Sequence, residues 1–168
     1  HTALPEDTSP AATPTPAAET PELNKAPLTV TVLNVGQADC MLLQSPNGKT
    51  MLIDAGDSES FWHMEDVFKA AGIDRLDVVV STHPHTDHIG SMREVIQNYE
   101  IGTFYMTDQT STTSTYKNMV KALQTQGVTV KQAAADLEPV IDWDADVEVR
   151  ILSPITAYFY DDLNDSSV

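Results

Sequence analysis

A single cysteine, Cys40, leaves no partner for an internal disulfide, so cysteine usage says nothing about redox compartment. Set between Asp39 and Met41 in an apolar run, it reads as a small buried hydrophobe rather than a ligand or nucleophile. Basic residues are scarce: Lys and Arg number 9 against 25 Asp and Glu, a net charge of −16. Four acids and one base precede Leu28, so the remaining stretch carries 21 acids against 8 bases. The acidity therefore belongs to the folded part. A protein that grips a nucleic-acid backbone shows a basic stripe, and none is visible, so no strong nucleic-acid-binding surface is expected and long anionic polymers are repelled. No apolar run approaches the ~18 residues that span a bilayer, and no charged-then-apolar leader opens the chain. The expectation is a soluble protein from which any signal has been removed.

What is present divides in two. Residues 1–27 hold six of the ten prolines among many Ala and Thr. With no periodic apolar face to bury, this stretch predicts an extended, disordered linker of the kind that spaces an extracytoplasmic domain, secreted or tethered, from a membrane or cell wall. His1 is not counted as a ligand. Residues 28–168 are expected to form one domain, and the chain's 41% hydrophobic content is ordinary for a globular protein.

From Leu28 to Leu33 apolar and polar residues alternate, predicting a half-buried strand, followed by a loop over Asn34–Asp39. Cys40–Gln44 predicts a second strand and Thr50–Ile53 a third, joined by Pro46-Asn47-Gly48-Lys49, where Asn and Gly tolerate positive φ. The third strand delivers Asp54-Ala55-Gly56. Ser60–Ala71 carries Phe61, Met64, Val67, Phe68 and Ala71 at helical spacing, with Gly72 as the stop. His63, on this helix beside Trp62, reads as a surface or packing histidine.

Asp77–Thr82 is a short β-branched run that predicts a buried strand, and Pro84 forbids its ladder from continuing. Four ligand-type side chains follow within six residues: His83, His85, Asp87 and His88. In an extended segment residues i and i+2 project to one side, so His83 and His85 can hold one ion, while Asp87 and His88 follow as the chain turns toward a helix. Imidazole and carboxylate suit zinc, manganese or iron, with room left for water on the metal. Such a site can hold a single phosphate locally despite the acidic balance.

Beyond it, Ile89–Tyr99 predicts a helix, Gly102–Met106 a strand, Tyr116–Thr125 a helix ended near Gly127, and Val128–Lys131 and Val147–Leu152 two more strands. The Ser/Thr-rich stretch Asp108–Thr115 reads as a solvated loop capping the next helix, with a substrate-contacting lip as the alternative. Asp142, Asp144, Asp146 and Glu148 alternate and read as a solvated face; the glycine and terminal glutamate of a calcium loop are missing.

The run T-H-P-H-T-D-H-I-G resembles the H-x-H-x-D-H signature of metallo-β-lactamase-fold hydrolases. V-G-Q-A-D-C-M-L-L and P-N-G-K-T-M-L-I-D-A-G are similar to the branch typified by the extracellular hydrolase domain of the DNA-uptake protein ComEC. The resemblance implies an α/β fold, an αββα sandwich, with two divalent metals, usually zinc, at one edge of its paired sheets. It implies that a metal-bridging hydroxide attacks an ester, amide or phosphodiester. It makes His83 and His85 ligands of the first metal, Asp87 and His88 ligands of the second, and Asp87 the residue that orients the attacking hydroxide. Asp54 matches a carboxylate that braces the ligand loop.

The same resemblance implies an aspartate on a later strand that bridges both metals and a later histidine, yet no His follows His88. The Asn164–Ser167 stretch is similar to residues just before that strand, so the sequence reads as the first half to two thirds of such a domain. Three classes follow: a metal-dependent hydrolase of the exported ComEC-like kind, a non-catalytic binding module with a partial metal site, or a structural fragment. Within the first, a small ester or cell-wall phosphodiester fits the acidic balance better than a nucleic acid, and a lactam fits least. With two ligands per ion, weak metal occupancy and little hydrolysis are expected of these residues alone, together with self-association through an uncovered sheet edge.

Overall fold

The computed structural model describes residues 25–137, 139–156 and 162–168. The linker expected over 1–27 lies outside these residues up to position 24. Strands β1 (Thr29–Val32), β2 (Met41–Gln44) and β3 (Thr50–Ile53) form an antiparallel meander. Helix α1 (Phe61–Ala70) crosses to β4 (Arg75–Ser81), which pairs parallel with β3. Helices α2 (Thr86–Ile89) and α3 (Met92–Asn98) lead to β5 (Glu100–Met106), and α4 (Ser114–Gln126) to β6 (Thr129–Gln132), both strands again parallel. The six strands lie in chain order in one mixed sheet, and β7 (Val140–Asp144) with β8 (Val147–Arg150) makes a separate antiparallel pair.

Both faces of the central strands are buried, which explains why L-D-V-V-V-S reads as a nearly continuous apolar run. One face, carrying Leu42, Leu52, Val79 and Phe104, packs against Phe68 of α1, Met92 and Ile96 of α3, and Met119 and Leu123 of α4. The other, carrying Met51, Val78, Val80 and Tyr105, meets Ile141, Trp143 and Ile151 of the β7–β8 layer. Helices, large sheet and small sheet are thus stacked in the order an αββα-type α/β fold requires. Cys40 is buried here as expected, and burial pushes its thiol up to about 12, which removes it from nucleophilic chemistry.

Three expectations need correction. β1 is not half-buried: Val30 and Val32 are 53% and 73% exposed, because β1 is an edge strand whose side chains meet no second layer among the described residues. The helix expected over 89–99 is two helices, and Asp87 and His88 lie within the first of them. Its break comes at Gly90, where a Cβ would stand 2.2 Å from the backbone carbon of Asp57, so only glycine lets the chain pass. Strand β7 was hidden by its acids. Ile141 and Trp143 point inward while Asp142 is exposed, a period-2 pattern in which charge occupies the solvent side. The cap expected after Asp108 is present, with Thr113 Oγ1 accepting from the Tyr116 backbone N–H at 3.3 Å.

At the amino end of the parallel pair, Asp77 ties β3 to β4. Its carboxylate accepts from the Thr50 backbone N–H at 2.9 Å and from Lys49 Nζ at 3.0 Å. Burial acts to raise its pKa, but these bonds outweigh it and hold Asp77 below its ordinary value. A depressed carboxylate stabilises the fold above the unfolded-state value, about 3.9, and that contribution fades as pH falls through the lower folded-state value. Asp77→Asn is expected to cost about 1–3 kcal/mol in urea unfolding at pH 7, with the gap between variant and wild type closing in strong acid.

Candidate metal centre

Two parallel strands end side by side, and their ends carry the site. After β3 the chain places Asp54 in the left-handed region at φ 57°, which a short polar side chain tolerates better than most. After β4 it places Thr82 and His83. The loops are laced by backbone bonds: Asp54 N–H donates to Val80 O at 2.9 Å, Ala55 N–H to His88 O at 2.7 Å, and Gly90 N–H to Gly56 O at 2.8 Å. The Val168 N–H also donates to Thr82 O at 3.2 Å, so the end of the described chain supports the same loop.

The carboxylate of Asp54, only 1% exposed, organises what surrounds it. Oδ1 accepts from the Thr82 backbone N–H at 2.8 Å, and Oδ2 accepts from the Thr82 hydroxyl at 2.6 Å. Oδ2 also stands 2.7 Å from His88 Nδ1. Because a carboxylate only accepts, His88 Nδ1 must carry a proton, which leaves the Nε2 lone pair outward when the ring is neutral. Having given its hydrogen to Asp54, the Thr82 hydroxyl can only accept from His83 Nδ1, 3.1 Å away, so the neutral His83 ring also presents a lone pair at Nε2. One buried carboxylate therefore sets the tautomer of two histidines. Thr82 was not singled out from the sequence; a hydroxyl residue at a strand end, next to a ligand-type His, was the available signal.

His83, His85 and His88 are brought together. His83 Nε2 lies 3.1 Å from His85 Nδ1, and the His83 and His88 ring centres are 4.0 Å apart. Asp87 is less closely joined, with Oδ2 at 3.9 Å from His88 Nε2. Burial, with the neighbouring His88 and His85, pushes His83 below its ordinary value, so it is neutral at pH 7. The bond to Asp54 outweighs burial at His88 and raises it. His63 is exposed on α1, away from this cluster of contacts.

The donor chemistry fits a divalent ion. Two donors at zinc distance on one tetrahedral ion are about 3.3 Å apart, close to the His83–His85 nitrogen separation of 3.1 Å. The Asp54–His88 pair has the carboxylate–histidine form that orients metal-bound imidazoles. Among the described residues, no group of three His, Cys, Asp or Glu is already spaced as a finished cage. His83 with His85, and His88 with Asp87, are the pairs that would hold metal.

Two measurements check this network. Long-range nitrogen NMR at a pH where His88 is neutral is expected to show its proton on Nδ1, and Asp54→Asn to abolish that preference; a wild-type proton on Nε2 would contradict the arrangement. Gly90→Ala is expected to destabilise the fold by roughly 1–3 kcal/mol or more in chemical denaturation, since the clash is with backbone that cannot rotate away.

A search of curated proteins finds no match to this chain. The family model described as the metallo-beta-lactamase superfamily matches residues 33–163, which takes in β2 to β8, the Asp54 loop and all four residues of the His/Asp run. With the match covering most of the chain and the strand-end histidines held by a buried carboxylate, this protein belongs to the metallo-beta-lactamase superfamily.

Proposed function

We propose that this chain is a metal-dependent hydrolase that cleaves an ester or phosphodiester, of the exported kind similar to the hydrolase domain of ComEC. The observation that carries the reading is the Asp54 network, which fixes the proton of the neutral His83 and His88 rings on Nδ1 and leaves both Nε2 lone pairs facing the other ligand-type side chains, His85 beside His83 and Asp39 and Asp87 beside His88. A buried carboxylate spent on fixing imidazole tautomers is what a metal site needs and what a merely structural histidine does not. Metal-dependent hydrolysis is also the general activity of the superfamily.

His83 with His85, and His88 with Asp87, would hold two divalent ions, zinc first and manganese or iron after it. When bound, such ions supply the Lewis acidity that makes water a nucleophile at neutral pH. Asp54 and Thr82 keep the imidazoles aimed, and Asp87, whose side chain is 48% exposed, would orient the attacking water. The net charge of −16 supports a small ester or cell-wall phosphodiester over a long nucleic acid, since a backbone-binding surface needs cations. The Pro-rich residues 1–27 support an extracytoplasmic setting, and the exposed Val30 and Val32 on edge strand β1 support self-association.

A second reading, a binding module with a partial metal site, is favoured by one observation: no three ligand-type residues among those described are already spaced as a cage. Uptake of zinc or manganese followed by assay of a chromogenic phosphodiester separates the two. The hydrolase reading expects turnover that a chelator removes and that falls at least about 100-fold in His83→Ala/His85→Ala, the order expected when the activating ion is lost. Metal uptake without turnover would support the module, and uptake unchanged in the double variant would overturn both.

A further inference from the structure

We infer that Asp39 is a ligand for the ion held by His88 and Asp87, giving that position a third protein donor from the loop before β2. The inference rests on the hydrolase reading and adds to it a residue on the amino-terminal side of the His/Asp run. Asp39 Oδ2 stands 3.6 Å from His88 Nε2, and Asp87 Oδ2 stands 3.9 Å from the same nitrogen. Asp54 holds a proton on His88 Nδ1, so the neutral ring offers Nε2 as a lone pair, and both of its neighbours are carboxylate oxygens. With the ring neutral, three electron-pair donors face one region and repel one another, a repulsion that positive charge placed among them relieves.

The spacing suits such an ion. Donors sharing one tetrahedral zinc are about 3.3 Å apart, so each carboxylate needs to close by less than an ångström. Both can do so without disturbing the core, since the Asp39 and Asp87 side chains are 66% and 48% exposed. Their backbones, by contrast, are fixed to each other. The Asp39 N–H donates to Asp87 O at 3.3 Å, and Asp39 O accepts from Gly56 N–H at 2.9 Å. Cys40, 1% exposed, anchors the next position in the core. Alternation along an extended chain then sends Cys40 inward and Asp39 outward, toward His88. At 3.6 Å the pair is too far apart for a hydrogen bond but within reach of an ion between them. As they stand, these three side chains are not spaced to hold an ion; once both carboxylates close in, His88, Asp87 and Asp39 would give the position the three protein ligands that a catalytic zinc ordinarily takes, leaving one place for water.

The test titrates the full 168-residue chain with zinc by calorimetry and with cobalt(II), whose visible absorption reports the number and type of its ligands. Wild type, Asp39→Asn, Asp87→Asn and His85→Ala are compared, with circular dichroism to confirm the fold. Asp39→Asn is expected to weaken one of two binding steps at least about tenfold, to leave the other within about twofold, and to change the cobalt spectrum of the weakened step only. Asp87→Asn should strike the same step and His85→Ala the other. If Asp39→Asn binds both ions as tightly as wild type with an unchanged spectrum, while Asp87→Asn loses a step, Asp39 is not a ligand and the hydrolase reading stands. If wild type takes up no metal, or His85→Ala and Asp87→Asn bind as wild type does, the hydrolase reading falls and this inference with it.

Discussion

A carboxylate that is almost wholly withdrawn from water has to be compensated, and the candidate centre is built from the way Asp54 meets that requirement. Its two oxygens take a backbone N–H, a hydroxyl and an imidazole N–H, all from the chain that follows β4. Losing any one of these would leave buried negative charge short of donors, a cost on the order of 1–3 kcal/mol or more. The His83 and His88 rings are therefore held not by their own packing alone but by the cost of leaving Asp54 unsatisfied. The left-handed backbone at Asp54 belongs to the same constraint, since it lets the chain leave β3 and still direct this side chain across to the neighbouring strand end.

The parallel pairing of β3 with β4 is what makes that contact possible. Leu52 pairs with Val79 and Ile53 with Val80, so the strands run out together and Asp54 and Thr82 emerge at one edge. Both faces of the pair are covered, one by the helices and one by the β7–β8 layer, which fixes register because a one-residue slip would exchange the two apolar sets. Asp77 holds the opposite end of the same pair. Core packing and site geometry are thus coupled: the apolar alternation along β4 decides where His83 begins, and the close pass over Asp57 requires glycine at position 90, where the His88 helix ends.

Acidity at the rim changes meaning in this light. Among the described residues most carboxylates face solvent, as on the outer side of β7, where Asp142 balances an inward Ile141 and Trp143. Asp39, Asp54 and Asp87 differ because they surround one imidazole, His88, at 3.6, 2.7 and 3.9 Å. Only Asp54 meets a proton there. The other two stand on the Nε2 side of the ring, where their charge favours a cation.

The sequence by itself determined a good deal. The β-branched run ending at Ser81, the ligand spacing over His83–His88, the Asn47-Gly48 turn and the helical periodicity of Phe61, Met64 and Phe68 are local patterns, and local patterns are written in neighbouring residues. The resemblance of its motifs to the metallo-β-lactamase-fold family also implied Asp54 as a bracing carboxylate. What only the tertiary structure decided involves residues far apart in the chain. The exposure of Val30 and Val32 depends on what lies over a sheet edge, and the need for glycine at position 90, between the two helices, depends on backbone at Asp57. The relay through Thr82 and the approach of Asp39 to His88 need two loops to be folded against each other. No periodicity encodes such distances, because they are set by how strands from separate parts of the chain come into register, and side chains such as Asp54 and Thr82, 28 residues apart, meet only once that has happened.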